Sequence, residues 1–112
     1  MSDEKTNQLD HYFIWRERGG NLVSVFEMET SHLFYTLRMI WNNTCPPILR
    51  VGKVKLYEFS DYYTTEYLRD AVKVMYAEIK QRSDIRADWY GELSIIEANA
   101  SFWFNQKLGE DS

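Results

Sequence analysis

A chain of 112 residues with 45% hydrophobic and 16% aromatic content has the material for one domain with its own core. Its net charge of -4 is uneven: residues 1–56 carry seven Lys/Arg against six Asp/Glu, and residues 57–112 carry six against eleven. An acidic chain without a basic stripe argues against direct nucleic-acid binding and leaves a basic protein partner open.

No apolar run approaches the ~20 residues that span a bilayer, so no membrane association is expected. Cys45 stands alone, which excludes an intramolecular disulfide and fits a reducing compartment. The first residues are polar and mixed in charge, unlike a signal peptide. A cytoplasmic protein is the expectation.

In chain order, residues 1–10 read as a disordered tail, residues 11–106 as a single domain and residues 107–112 as a frayed end. The runs TyrPheIleTrpArgGluArg and LeuValSerValPhe flank Gly19-Gly20-Asn21. Two β-prone runs about such a centre predict a hairpin, because glycine reaches the positive φ that a tight turn needs. A lone hairpin is marginal in water, so it is expected to lie on the helix that follows.

That helix is the organising element. Thr30 or Ser31 is placed to cap it, and Leu33, Phe34, Leu37, Ile40 and Trp41 share one face of a 3.6-residue period. His32, Tyr35, Arg38 and Asn42 lie off that stripe. Pro46 and Pro47 end the helix, with an Asn of the preceding pair suited to a left-handed exit.

Residues 44–60 predict a short edge strand or an extended segment, alternating over Val54 and Leu56. A second helix is expected at about 64–82, on Leu68, Ala71, Val72, Met75 and Ile79. A third, capped by Ser83 or Asp84, runs through Ile85, Trp89, Leu93, Ile96, Ala100 and Trp103 to about Asn105. Gly91 within it marks a close crossing or a break. The fold class is α+β, an N-terminal β-hairpin packed on a three-helix core, with a short extended segment between helices 1 and 2.

The order Trp15, Gly19 or Gly20, Val23, Val25, Met28, His32, Leu33, Leu37, Arg38 resembles a pattern of small uncharacterised bacteriophage and prophage proteins. In that pattern a Trp opens a hairpin and a Met-x-x-x-His-Leu step starts a helix. The resemblance covers residues 15–41, and a Met-x-x-Glu-x-x-x-Arg step at Met75, Glu78 and Arg82 extends it. Tyr35-Thr36 departs from it, where a small polar residue is expected. The resemblance implies a phage or prophage origin, and with it a host cell's cytoplasm.

His32 has a structural reading, fixing the hairpin-to-helix corner, and a functional one, as a base or phosphate ligand. Cys45 lacks the neighbours that activate a thiol. The carboxylates of the late helices scatter as a solvated face does, so no metal, cofactor or catalytic residue is expected. Trp15, Arg16, Arg18, His32, Tyr35 and Arg38 form the candidate binding cluster, since Arg and aromatic rings suit a protein interface. They also suit a nucleotide-like anion. The primary expectation is a non-enzymatic accessory protein that binds a host protein, with a defence component as one such target. The alternative is a binder that sequesters a small anionic ligand. Phe102, Trp103 and Phe104 point ~100° apart on a helix and cannot share one core, which predicts a homo-oligomer, a dimer, through that segment.

Overall fold

A computed structural model describes residues 13–111, with side chains to residue 100. The two β-prone runs pair as an antiparallel hairpin, β1 (Ile14–Arg16) with β2 (Leu22–Ser24), in the register Ile14↔Ser24, Trp15↔Val23, Arg16↔Leu22. Gly20 N–H donates to Glu17 O at 2.8 Å and Glu17 N–H to Asn21 O at 2.8 Å, closing a three-residue loop. Such loops need one residue at positive φ at their end. Gly20 supplies it, at 93°, and Gly19 does not.

The two glycines therefore differ in what they tolerate. Gly20→Ala is expected to cost about 1–2 kcal/mol, the penalty of a Cβ in the left-handed region. A Cβ at Gly19 meets open space, so Gly19→Ala is expected to be nearly neutral. Urea midpoints of the two variants check this, and equal losses would refute the turn assignment.

Three helices follow: α1 (Thr30–Thr44), α2 (Thr65–Lys80) and α3 (Tyr90–Asp111). Leu33, Phe34, Leu37, Ile40 and Trp41 of α1 are fully buried, as the periodicity predicts. They meet Leu68, Ala71, Val72, Met75 and Ile79 of α2, and Trp89, Leu93 and Ile96 at the start of α3, in one core. The chain thus folds as an α+β domain, a hairpin on three helices.

The helix ends differ from expectation. Glu29, not Thr30 or Ser31, holds the N-cap position of α1, with no side-chain cap bond. The Thr30 hydroxyl donates to Asp84 Oδ1 at 2.6 Å instead, which takes both residues away from capping. At the other end Cys45 leaves in extended backbone rather than through a left-handed Asn. α2 does carry a side-chain cap, Thr64 accepting from Tyr67 N–H at 3.1 Å. α3 begins later than Asp84, after a 3₁₀ turn at Ala87–Trp89, and continues beyond Asn105 to Asp111. Gly91 meets nothing within 4 Å, so it marks neither a close crossing nor a break.

The hairpin is fastened to α2 and to the turn that precedes it. Trp15 stacks on Tyr67 with centroids 5.5 Å apart and lies against Tyr63 at 5.4 Å. Arg16 N–H donates to the Tyr67 hydroxyl (2.9 Å), which donates on to Ile14 O (2.8 Å), and the Tyr63 hydroxyl donates to Arg16 O (2.7 Å). Ile14 and Arg16 are the residues whose main-chain groups face away from β2, as the alternation of an antiparallel ladder requires. Two phenols therefore close the outer edge of β1.

This fastening is pH-sensitive at its alkaline end. Burial pushes the Tyr67 phenol from 10.0 up to about 12, against the lowering pull of the Arg16 N–H, with Tyr62 and Tyr63 adding to the rise. A phenol whose pKa is raised by folding stabilises fully below its unfolded value. That contribution is lost as pH rises from about 10 through about 12. Tyr76, also raised by burial and by donating to Glu97, adds in the same direction. Tyr67→Phe is expected to flatten the fall in urea midpoint above pH ~10. An unchanged slope would show that the phenol does not titrate with folding.

Candidate functional site

The segment between α1 and α2 contains no strand, only a 3₁₀ turn at Pro47–Leu49 and irregular backbone. Val54 and Leu56 do not alternate into the core; they are 43% and 58% exposed. What holds the segment is the last turn of α1. Asn42 is 1% exposed, and its amide pairs with both main-chain groups of Val51: Nδ2 donates to Val51 O (2.9 Å) and Oδ1 accepts from Val51 N–H (2.8 Å). Asn43 does the same one step on, Nδ2 donating to Lys55 O (3.1 Å) and Oδ1 accepting from Tyr57 N–H (2.8 Å). Trp41 Nε1 donates to Leu49 O at 2.9 Å. Three consecutive side chains thus take the place of a neighbouring strand.

Held in this way, residues 56–60 form one wall of a groove of about 650 Å³. Trp15, Glu17 and Arg18 of the hairpin form the other wall, and Thr36, Met39 and Tyr63 complete it. Its lining is rich in rings, from Trp15, Tyr57, Phe59 and Tyr63, with a carboxylate on each side from Glu17 and Glu58. The Arg18 guanidinium lies over the Tyr57 ring, 5.1 Å from its centroid, and Lys55 Nζ at 5.9 Å, so two cations of the chain already use that ring.

The six residues of the expected cluster fall in separate neighbourhoods. Trp15 and Arg18 line the groove. Arg16 lies beside it, over the Tyr62 ring at 4.5 Å. His32 Nε2 is 2.9 Å from Glu17 Oε2, so a carboxylate of the hairpin turn partners it. The ring is half exposed, and the contact ties the turn to the first turn of α1.

Arg38 and Tyr35 belong elsewhere. Arg38 Nη1 pairs with Glu92 Oε1 at 3.0 Å, and its guanidinium lies over Phe34 and Tyr35 at 5.4 and 5.2 Å. Tyr35 meets Trp89 edge-on. Gly52, at φ 62°, crosses this ion pair so closely that a Cβ would come within 2.7 Å of Arg38 Nη1. Arg38 is therefore committed to packing α1 against α3 and the intervening segment. Phe102, Trp103 and Phe104 lie on α3 beyond the described side chains.

Cys45 is buried, and burial pushes its thiol up; the nearby positive charge of Arg50, not foreseen from the sequence, pulls the other way and is outweighed. That disfavours the thiolate a nucleophile needs. Among the described residues no group of three His, Cys, Asp or Glu is placed to hold a metal ion, and no helix is long and apolar enough to cross a membrane.

Sequence reasoning missed Thr36, Met39, Tyr57, Phe59 and Tyr63 as groove residues. The spacing of Tyr57 and Phe59, two apart as on one side of an extended chain, was the signal available. Comparison with protein-family models, with curated proteins and with solved structures finds no match to this chain.

Proposed function

We propose that the chain is a non-catalytic interaction module that receives a segment of a protein partner in the groove between the hairpin turn and residues 56–60. The observation that carries this reading is the lining. Trp, Tyr and Arg side chains, which dominate binding energy at interfaces, are gathered in a concave, partly apolar surface. The residues with the most chemical promise are committed to the scaffold: His32 to Glu17, Arg38 to Glu92, Cys45 to the core. Under the resemblance to phage proteins the partner is a host protein, a defence component among the targets such a protein occludes, and the site of action is the host cytoplasm. The same reading takes a symmetric dimer through Phe102, Trp103 and Phe104 as the assembly, which sedimentation at micromolar concentration decides.

A small anion fits the groove less well. It would meet Glu17 and Glu58, and its natural counter-charge, Arg18, already lies over Tyr57.

The test is capture from host lysate with the tagged protein and with Tyr57→Ala, followed by affinity measurements on the captured protein once purified. A partner whose affinity falls about tenfold or more with Tyr57→Ala supports the groove. A partner held equally by both forms rules the groove out as the interface.

A further inference from the structure

We propose that the groove works by strand addition: a basic, extended segment of the partner pairs with the free main-chain edge of residues 54–58. The inference rests on the groove reading above and adds the form and charge of the occupant.

The first argument is the pattern of the Asn43 bonds. One amide donates to Lys55 O and accepts from Tyr57 N–H, the residues on either side of Leu56. That is the pattern a single residue of a parallel neighbour makes in a sheet. Residues 55 and 57 therefore turn their main-chain groups toward α1. In an extended chain Val54, Leu56 and Glu58 turn theirs the other way. Among the described residues Leu56 N–H and C=O make no hydrogen bond, and Leu56 lines the groove. Residues 55–57 thus stand as half of a rung, satisfied on one side by the Asn43 amide and, among the described residues, unpaired on the other.

The second argument is contrast. The outer edge of β1 is closed by the hydroxyls of Tyr63 and Tyr67, the kind of cover that keeps a sheet edge from pairing. The outer edge of β2 presents only Leu22 and Ser24, and no residue of β2 lines the groove. The 54–58 edge is the open one that runs beside an aromatic-lined concavity.

The charge of the occupant follows from what lines the walls. Glu17 and Glu58 stand on opposite sides, and Arg18 already places a guanidinium over Tyr57. An incoming Lys or Arg finds the Glu58 carboxylate, the Glu17 carboxylate beside His32, and the rings of Trp15, Phe59 and Tyr63, on a chain of net charge -4. Main-chain pairing supplies affinity in this mode, and alternate side chains supply specificity.

The probe is a fluorescein-labelled eight-residue peptide of alternating Lys and Val, read by anisotropy against the full chain. An alternating Glu/Val peptide tests the charge. The Lys/Val peptide N-methylated at every second amide, in each of the two registers, tests the pairing. Binding of the Lys/Val peptide is expected, with loss of about tenfold or more in one N-methyl register and for the Glu/Val peptide. Leu56→Pro removes a donor that no described residue uses, so it is expected to keep the melting temperature and lose the peptide, whereas Leu56→Ala keeps the donor and most of the binding. Should Leu56→Pro fail to fold, the two N-methyl registers decide alone.

No binding of the Lys/Val peptide at millimolar concentration overturns the proposal, as does equal binding by both N-methyl registers or by the Glu/Val peptide. A dimer of the free protein that Leu56→Pro dissolves also overturns it, in favour of a second copy on the same edge. These failures leave the groove reading standing if Tyr57→Ala still releases the captured host protein.

Discussion

Asn42→Ala is expected to lower stability by about 2–4 kcal/mol, because it orphans two buried main-chain groups at once, each worth roughly 1–3 kcal/mol when left unpaired. Both groups belong to Val51, itself buried, and water has little access to either. Asn42→Asp is expected to cost more still. The carboxylate keeps the bond from Val51 N–H but turns an oxygen toward Val51 O, where a donor is required. Asn43→Ala is the control: Lys55 O is exposed and Tyr57 N–H only part-buried, so solvent can replace much of the amide and a smaller loss of about 1 kcal/mol is expected. Urea denaturation of the three variants tests the ranking. Equal losses for Asn42→Ala and Asn43→Ala would show that the Val51 pairing is not what anchors the segment.

Those two asparagines show where reading the sequence stops. Asn at the end of a helix is a familiar exit signal, and Asn42-Asn43 before two prolines reads as one. The same amide also matches a peptide unit donor for donor, so it can serve as one rung of a strand. Which role it takes depends on whether the chain turns back over the helix, and nothing local to residues 42–44 says so. The buried stripes were legible for the opposite reason. Leu33 to Trp41 and Leu68 to Ile79 bury one face each, and the period of that face is a local property of the helix. The hairpin was legible from its turn chemistry, although only Gly20 of the pair carries the positive φ.

The candidate site was legible in part. Trp15 and Arg18 line the groove, and His32 does link the turn to α1 through Glu17, but Arg38, grouped with them in the sequence, pairs with Glu92 away from the groove. Its partner Glu92 lies 54 residues on, and Gly52 seals the pair from a third segment. Ring surplus was visible in the composition, yet the rings that face the groove, Tyr57 and Phe59, sat in the stretch with the weakest pattern. A surface assembled from a hairpin, a helix face and an irregular segment has no single period to betray it.

The positions Met28, Glu78 and Arg82, noted first for their likeness to a phage pattern, meet in space. Arg82 Nε donates to Glu78 Oε2 at 2.7 Å, while Nη1 donates to Met28 O (2.8 Å) and to Thr30 Oγ1 (3.2 Å), and Nη2 reaches Phe26 O (3.4 Å). One guanidinium therefore gathers the hairpin-to-helix corner onto the end of α2. Arg82→Met is expected to cost about 2–4 kcal/mol, somewhat less than breaking a fully buried pair because some solvent reaches the site. Side-chain exposures of 17% for Arg82 and 11% for Glu78 set that discount. Arg82→Lys is expected to recover little, since an ammonium cannot meet a carboxylate and two carbonyls from the plane that a guanidinium presents. The decisive comparison is the double variant Arg82→Met with Glu78→Leu. Much of the loss in Arg82→Met comes from leaving Glu78 charged and unpaired, so removing it as well is expected to restore part of the urea midpoint, leaving the cost of the freed Met28 and Phe26 carbonyls. Additive losses in that cycle, or an Arg82→Lys variant as stable as the parent, would mean that the corner is held by packing around Met28 and Thr30 rather than by the guanidinium.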